Sequence, residues 1–250
     1  MKKFIKYLLL TACLGLFISG CSSSGADGAS AKDTLIVATN AEFPPYEYYE
    51  NNEIVGIDID IIKAVAEDIG MKVQIEDMAF DSVIASIQSG KSDVGIAGLT
   101  ITEDRLENVN FSIPYTETQQ VVIVNENSDI VAIDDLKNRS IGVQLGTTGD
   151  IFAEDVEGAT VERYNKGMEA IQALRQGKID AVIIDKEPAK VFVSQNNDIE
   201  MLDEDFVVEE YAIAIGKDNT ELLEKINASL EKLKDSGKLK EIADKYITAE

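Results

Sequence analysis

The chain has no histidine and no tryptophan, and only two cysteines and four prolines in 250 residues. Without histidine, a Ser-His-Asp triad and a His-ligated zinc site are excluded on inventory alone. Cys13 and Cys21 both lie near the start, so the body of the chain has neither a disulfide framework nor thiolates for a metal centre. Positive charge is scarce: 23 Lys and Arg face 46 Asp and Glu, a formal net charge of −23. Such acidity argues against nucleic-acid or anionic-lipid partners and for a self-repelling, soluble, monomeric surface. The acids are scattered over polar faces, so neither a metal nor a cofactor is expected.

The one long apolar run lies at the beginning. Lys2, Lys3 and Lys6 precede an apolar core from Tyr7 to Ile18, too short to span a bilayer as a stable helix. It ends Ile18-Ser19-Gly20-Cys21, which resembles a lipobox, where a lipoprotein precursor is acylated on Cys and cut before it. Residues 1–20 are therefore expected to be a signal peptide, with Cys21 lipidated. Residues 21–33, rich in Ser, Gly and Ala, read as a flexible tether. The expectation is a soluble domain held by lipid at the extracellular or periplasmic face of the cell membrane.

The most informative stretch runs from Gly90 to Arg105. Asp93 to Ile101 is apolar and small, as a strand buried on both faces should be. Thr102 then offers an N-cap, and Glu103 and Asp104 complement the helix dipole. Arg105 stands where a capping box would place Glu or Gln. Its side chain leans back toward the strand-to-helix junction, so a guanidinium and free N–H groups face one spot, an arrangement suited to a carboxylate. Alone, Arg105 would more often pair with one of the many acids.

A repeat changes that balance. Ile171-Gln-Ala-Leu-Arg-Gln-Gly-Lys-Ile-Asp180-Ala-Val-Ile-Ile-Asp185 aligns with the segment starting at Ile84, matching Gly90-Lys91 and Asp93 to Gly177-Lys178 and Asp180. Gly98 then falls opposite Asp185, each at the carboxyl end of a strand, where open α/β sheets bind ligands. One half offers an anion receptor and the other an acid suited to a cation, which together fit a zwitterion. Asp185 is also a fair N-cap for the helix containing Pro188, the commoner fate of such an Asp, and one residue can do both.

The remaining pattern places these units. Thr34–Thr39 reads as a strand ending in a stiff polar-aromatic lip, Asn40-Ala41-Glu42-Phe43-Pro44-Pro45-Tyr46. Asn51-Asn52 reads as a hairpin turn, Ile57–Ile69 as a helix closed by Gly70, and Asp81 as the N-cap of a helix through Ser89. Phe43 and Phe80 suit core packing or a ligand wall equally. Thr116–Val124 is extended, Ser140–Gln144 is a strand running into Leu145-Gly146-Thr147-Thr148-Gly149, and Val207–Ile215 is strand-like before two final helices.

Five stretches carry a resemblance: Ala38–Pro45, Gly56–Asp60, Ala97–Arg105, Gly142–Gly149 and Asp180–Asp185. In their order and spacing the chain resembles the extracellular solute-binding proteins, family 3, that serve ABC transporters for polar amino acids. The resemblance implies an α/β, two-lobed periplasmic-binding-protein-like fold of type II, its lobes joined by two crossover strands. Residues 34–115 and 212–250 would form lobe 1 and residues 116–211 lobe 2, with hinge strands near 115–120 and 207–212. It also implies roles: Arg105, Thr100 and the backbone at Thr148 for the ligand carboxylate, Asp185 and the Gly98 carbonyl for the ammonium, Phe43 and Phe80 around the ligand side chain, with Leu99 beside them. The implied partners are an amino acid, an ABC permease and its ATPase; no catalysis is implied.

Specificity rests on Asn40, Glu42, Asp81 and Gln144 near the lips. Relatives for cationic or glutamine side chains frequently carry Asp where this chain has Asn40, and an amide suits a neutral polar group. Arginine and glutamine stand level, and acidic ligands rank low. Two other readings use the same architecture: a dehydratase acting on cyclic carboxylates, with Glu42 or Asp185 as general acid, and a sensor or adhesin.

Overall fold

A computed structural model describes residues 33–204 and 207–247; the expected leader, Cys21 and the tether through residue 32 lie outside the described residues. Strand β1 (Thr34–Thr39) leads into the lip, built from β2 (Glu42–Phe43), β3 (Glu47–Glu50) and β4 (Glu53–Val55). Asn51 and Asn52 turn the hairpin at φ 49° and 69°, a left-handed conformation that asparagine tolerates. Helix α1 (Ile57–Asp68) follows, its stripe of Ile57, Ile61, Ile62, Val65 and Ala66 buried. Then come β5 (Lys72–Asp77), α2 (Val83–Gln88), β6 (Val94–Gly95), α3 (Glu103–Asn108) and β7 (Val109–Phe111).

Strand β8 (Thr116–Asn125) carries the chain into a second sheet, which continues with β9 (Ser140–Gln144), α4 (Thr148–Glu154), β10 (Thr160–Tyr164), α5 (Gly167–Arg175), β11 (Ala181–Asp185), α6 (Lys186–Ser194) and β12 (Ile199–Met201). Strand β13 (Val207–Tyr211) returns antiparallel to β8, pairing Tyr211 with Thr116 and Val207 with Gln120. Strand β14 (Ala214–Gly216) rejoins the first sheet, and α7 (Thr220–Asp235) and α8 (Lys238–Tyr246) close the chain. The described residues thus form two α/β lobes, with sheets ordered β5-β1-β6-β14-β7 and β10-β9-β11-β8-β12, joined by β8 and β13.

The central strands of both sheets are buried on both faces, which explains their apolar runs. In β8, Val121 and Ile123 enter one core cluster while Val122 and Val124 enter another, the period of two that a pleated strand imposes. The sequence repeat has a structural counterpart. Asp93 Oδ2 accepts from the Ile36 N–H at 2.8 Å and Asp180 Oδ2 from the Ser140 N–H at 2.8 Å. In each lobe an Asp therefore ties its own strand to a neighbouring one, β1 in the first lobe and β9 in the second, and a left-handed Gly, Gly90 or Gly177, follows the helix before that Asp.

Two local expectations change. The strand expected over Asp93–Ile101 keeps regular pairing only at β6 (Val94–Gly95), because Gly98 turns left-handed at φ +54° and lifts the chain out of the sheet. Asp81 does not cap a helix: it sits inside a single 3-10 turn, Phe80–Ser82, and Ser82 precedes α2 without a side-chain cap bond. No helix among the described residues is long and apolar enough to cross a membrane.

Candidate functional site

The carboxyl ends of β1, β9 and β11 meet the segment after β6 around a narrow cavity of about 10 Å³. Asn40, Phe43, Glu47, Phe80, Ala97, Gly98 and Arg105 line it from the first lobe, and Gln144, Thr147, Thr148 and Asp185 from the second. Direct bonds cross the cleft, so the structure is a closed form. Gln144 Nε2 donates to Asn40 Oδ1 at 2.9 Å, and Arg105 Nη2 donates to the Gly146 carbonyl at 3.1 Å.

Arg105 is positioned by its helix start. Thr102 Oγ1 accepts from the Arg105 N–H at 3.2 Å, as an N-cap should. The guanidinium also donates from Nη1 to the Thr100 carbonyl at 2.8 Å and lies 5.4 Å from the centroid of the Phe80 ring. Burial lowers its hold on the proton, and the charges of Glu209 and Asp185 oppose that. Two carbonyls engage two of its five donors, and the fork geometry suits a carboxylate for the rest.

At the opposite end, Asp185 closes β11. It occupies the N-cap position of α6, yet its side chain makes no cap bond; Oδ1 accepts from the Tyr211 hydroxyl instead. Burial, then the charge of Glu209, pushes the Asp185 carboxyl up to about 7, against the opposing hydrogen bonds of Tyr211 and Gln120. The Gly98 N–H donates to Asp58 Oδ2 at 2.8 Å, and the Tyr115 hydroxyl donates to the same oxygen at 2.8 Å. A Cβ at Gly98 would stand 3.0 Å from Phe43 Cε1, so the bare backbone is what lets that ring close over the cavity.

Glu47 was not foreseen. It is wholly buried, lines the cavity, and no N–H or O–H donor reaches either carboxyl oxygen. Burial first, and then the neighbouring Asp58 carboxyl, drive it to hold its proton far above the usual carboxylate range. Asp58 itself is raised to about 6 by burial, less the help of Gly98, Glu47 and Tyr115. The only sequence signal was its place in the lip, one residue after Tyr46.

Three other expected site residues sit differently. Leu99 turns its side chain into the core beside Val83 and Ile87, because the left-handed turn at Gly98 rotates it inward. Glu42 stays outside the cavity lining and pairs with Lys166 across the cleft, its best partner in a chain so short of cations. Thr100 also lies behind the cavity: its hydroxyl donates to Glu209 Oε2 at 3.1 Å. Among the described residues no group of three or more His, Cys, Asp or Glu could hold a metal ion.

Two lobes closing over a small cavity with one cation and facing acids define a receptor for a small solute. The chain belongs to the bacterial extracellular solute-binding proteins, family 3, whose sequence profile matches residues 35–249. It is 32% identical to the arginine-binding extracellular protein ArtP of Bacillus subtilis (strain 168) over 256 residues, covering 100% of both chains. An ancestral arginine-binding protein bound to arginine superposes with a TM-score of 0.82 at 42% identity, over 86% of this chain and 99% of the other. An ancestral arginine-binding protein bound to glutamine gives 0.83 at 42% identity, over 87% and 99%.

Proposed function

We propose that the chain binds one free polar amino acid, arginine or glutamine before others, and hands it to an ABC permease and its ATPase. The observation that carries this reading is the placing of Arg105 and Asp185 on opposite lobes around one cavity. Arg105 and the backbone at Thr148 hold the α-carboxylate, Asp185 and the Gly98 carbonyl hold the ammonium, and Phe43 and Phe80 flank the side chain. Asn40 and Gln144 meet a neutral polar head, and the buried Glu47, which holds its proton, lines the cavity beside them. Ligand selects the closed form by its greater affinity for it. The relatives' names support both ligands: one is arginine-binding, and the ancestral proteins hold arginine and glutamine.

The protein acts without turnover, as a monomer, and is tethered by a lipid on Cys21 after removal of residues 1–20. Calorimetry of ligand-stripped protein against the common amino acids tests the binding reading; heat from none of them defeats it. Labelled palmitate incorporated by wild type and lost in Cys21→Ser tests the anchor.

A further inference from the structure

Glu209 lies on β13, one of the two strands that join the lobes. The strand reads Val207-Val208-Glu209-Glu210-Tyr211, with 209 and 211 buried and 208 and 210 exposed. Alternation thus turns Glu209 and Tyr211 to the same side, and an acid there is out of place in a sheet interior. Its carboxylate is only 5% exposed, and Oε1 has no hydrogen-bond partner. Its other oxygen is crowded. Oε2 accepts from the Thr100 hydroxyl at 3.1 Å, the Gln120 amide at 3.0 Å and the Thr148 hydroxyl at 3.0 Å.

These donors come from different bodies. Thr100 belongs to the first lobe, Thr148 opens α4 of the second, and Gln120 lies on the other joining strand. All three can reach one oxygen only when the lobes are together. Each hydroxyl has a single proton, and here that proton is directed at Glu209. The Thr148 hydroxyl also accepts from Gln120 Nε2 at 3.2 Å. Both threonines therefore present only backbone N–H groups as donors to a ligand carboxylate. Glu209, Thr100 and Thr148 also line the outer groove behind the cavity, so this cluster is the wall between the two spaces.

We propose that Glu209 is a positioning residue that latches the cleft shut without ligand and turns the Thr100 and Thr148 hydroxyls away from the cavity. The latch deepens the amino-acid-binding reading but is measured without any ligand, so the two stand or fall separately. A closed form that is populated before binding raises apparent affinity in proportion to that population. Removing the carboxylate shifts both quantities together, while loss of a merely structural contact would lower stability and leave the closure ratio alone.

The experiment is single-molecule energy transfer on ligand-stripped full-length protein, with Cys13 and Cys21 replaced by serine and dyes on introduced cysteines in the two lobes. Wild type is expected to show a resolved closed population. Glu209→Ala should lower the closed-to-open ratio at least tenfold. Glu209→Gln, which keeps an acceptor oxygen, should restore most of that ratio, and Thr148→Val should reproduce part of the loss. Circular dichroism establishes that each variant is folded. An unchanged ratio in folded Glu209→Ala, or wild type fully open without ligand, overturns the latch. Neither result bears on whether an amino acid binds, which calorimetry on the same samples reads independently.

Discussion

Gln144 Nε2 donates to Asn40 Oδ1 at 2.9 Å across the closed cleft. The same Asn40 donates from Nδ2 to the Met78 carbonyl at 2.8 Å. One amide thus uses both of its faces, fixing the lip to its own lobe and the lip to the opposite lobe. A carboxylate could serve only the second of these bonds. The amide at Asn40 is therefore tied to local packing on both sides of the cleft.

Asn40→Asp should separate that packing from ligand choice. The substitution sets an anionic oxygen against the Met78 carbonyl, where a donor stood, and should destabilise the protein by about 1–3 kcal/mol. It also adds a negative charge beside the cavity, so affinity for arginine relative to glutamine should rise at least roughly tenfold. Thermal denaturation reads the first effect and calorimetry with both ligands the second. An unchanged arginine-to-glutamine ratio would remove Asn40 from the specificity set.

Arg105→Lys should be far from conservative. Lysine keeps the charge but loses the planar fork that reaches the Thr100 and Gly146 carbonyls while lying over Phe80. Loss of a bidentate partner for a desolvated carboxylate costs about 2–5 kcal/mol, so affinity should fall by roughly 30-fold or more. Competition against wild type with one radiolabelled ligand measures it. Affinity within twofold of wild type would mean the carboxylate is held elsewhere.

How far the sequence disclosed this site depends on the range of the contacts. The Thr102 cap on the Arg105 N–H is made across three residues, and local helix rules find it. The repeat exposed Gly98 and Asp185 because each lobe repeats the Gly-Lys and Asp device that Asp93 and Asp180 display. Glu47, Glu209 and Tyr211 escaped notice because their surroundings are assembled from afar: Glu209 meets Thr100 across 109 residues and Tyr211 meets Asp185 across 26. The alternation in β13 did hold a signal, since Glu209 shares its parity with the buried Tyr211. Periodicity marks such an acid as inward, but only the fold shows what it faces.

Gly98→Ala should injure binding more than folding. The left-handed backbone at φ +54° and the 3.0 Å approach to Phe43 both resist a Cβ. The backbone conformation alone costs about 1–2 kcal/mol. The displaced Phe43 ring then leaves the cavity wall, so affinity should drop more than tenfold while the circular dichroism spectrum stays native. Pairing Gly98→Ala with Phe43→Leu checks the route: relief of the clash should make the two losses less than additive.

The pH dependence follows from Asp185. In the ligand-free protein its carboxyl titrates at about 7, so it is ionised at pH 8 and largely protonated at pH 5.5. An ammonium group binds the ionised form, so below about pH 7 binding must expel a proton. Affinity should therefore climb with pH up to about 7 and level off above it. Between pH 5.5 and pH 8 the gain should be roughly tenfold to a hundredfold. Stability of the empty protein runs the other way. Asp185 and Asp58, at about 7 and about 6, hold protons in the folded state that the unfolded chain releases near pH 4. Their contribution is thus greatest at low pH and declines as pH rises through the window from 4 to 7. Ligand should reverse that decline for Asp185, because the ammonium stabilises its charged form. Calorimetry in two buffers of different ionisation enthalpy, at pH 6, should reveal up to one proton released per ligand in wild type and none in Asp185→Asn; equal heats in both buffers for wild type would rule Asp185 out as the ammonium partner.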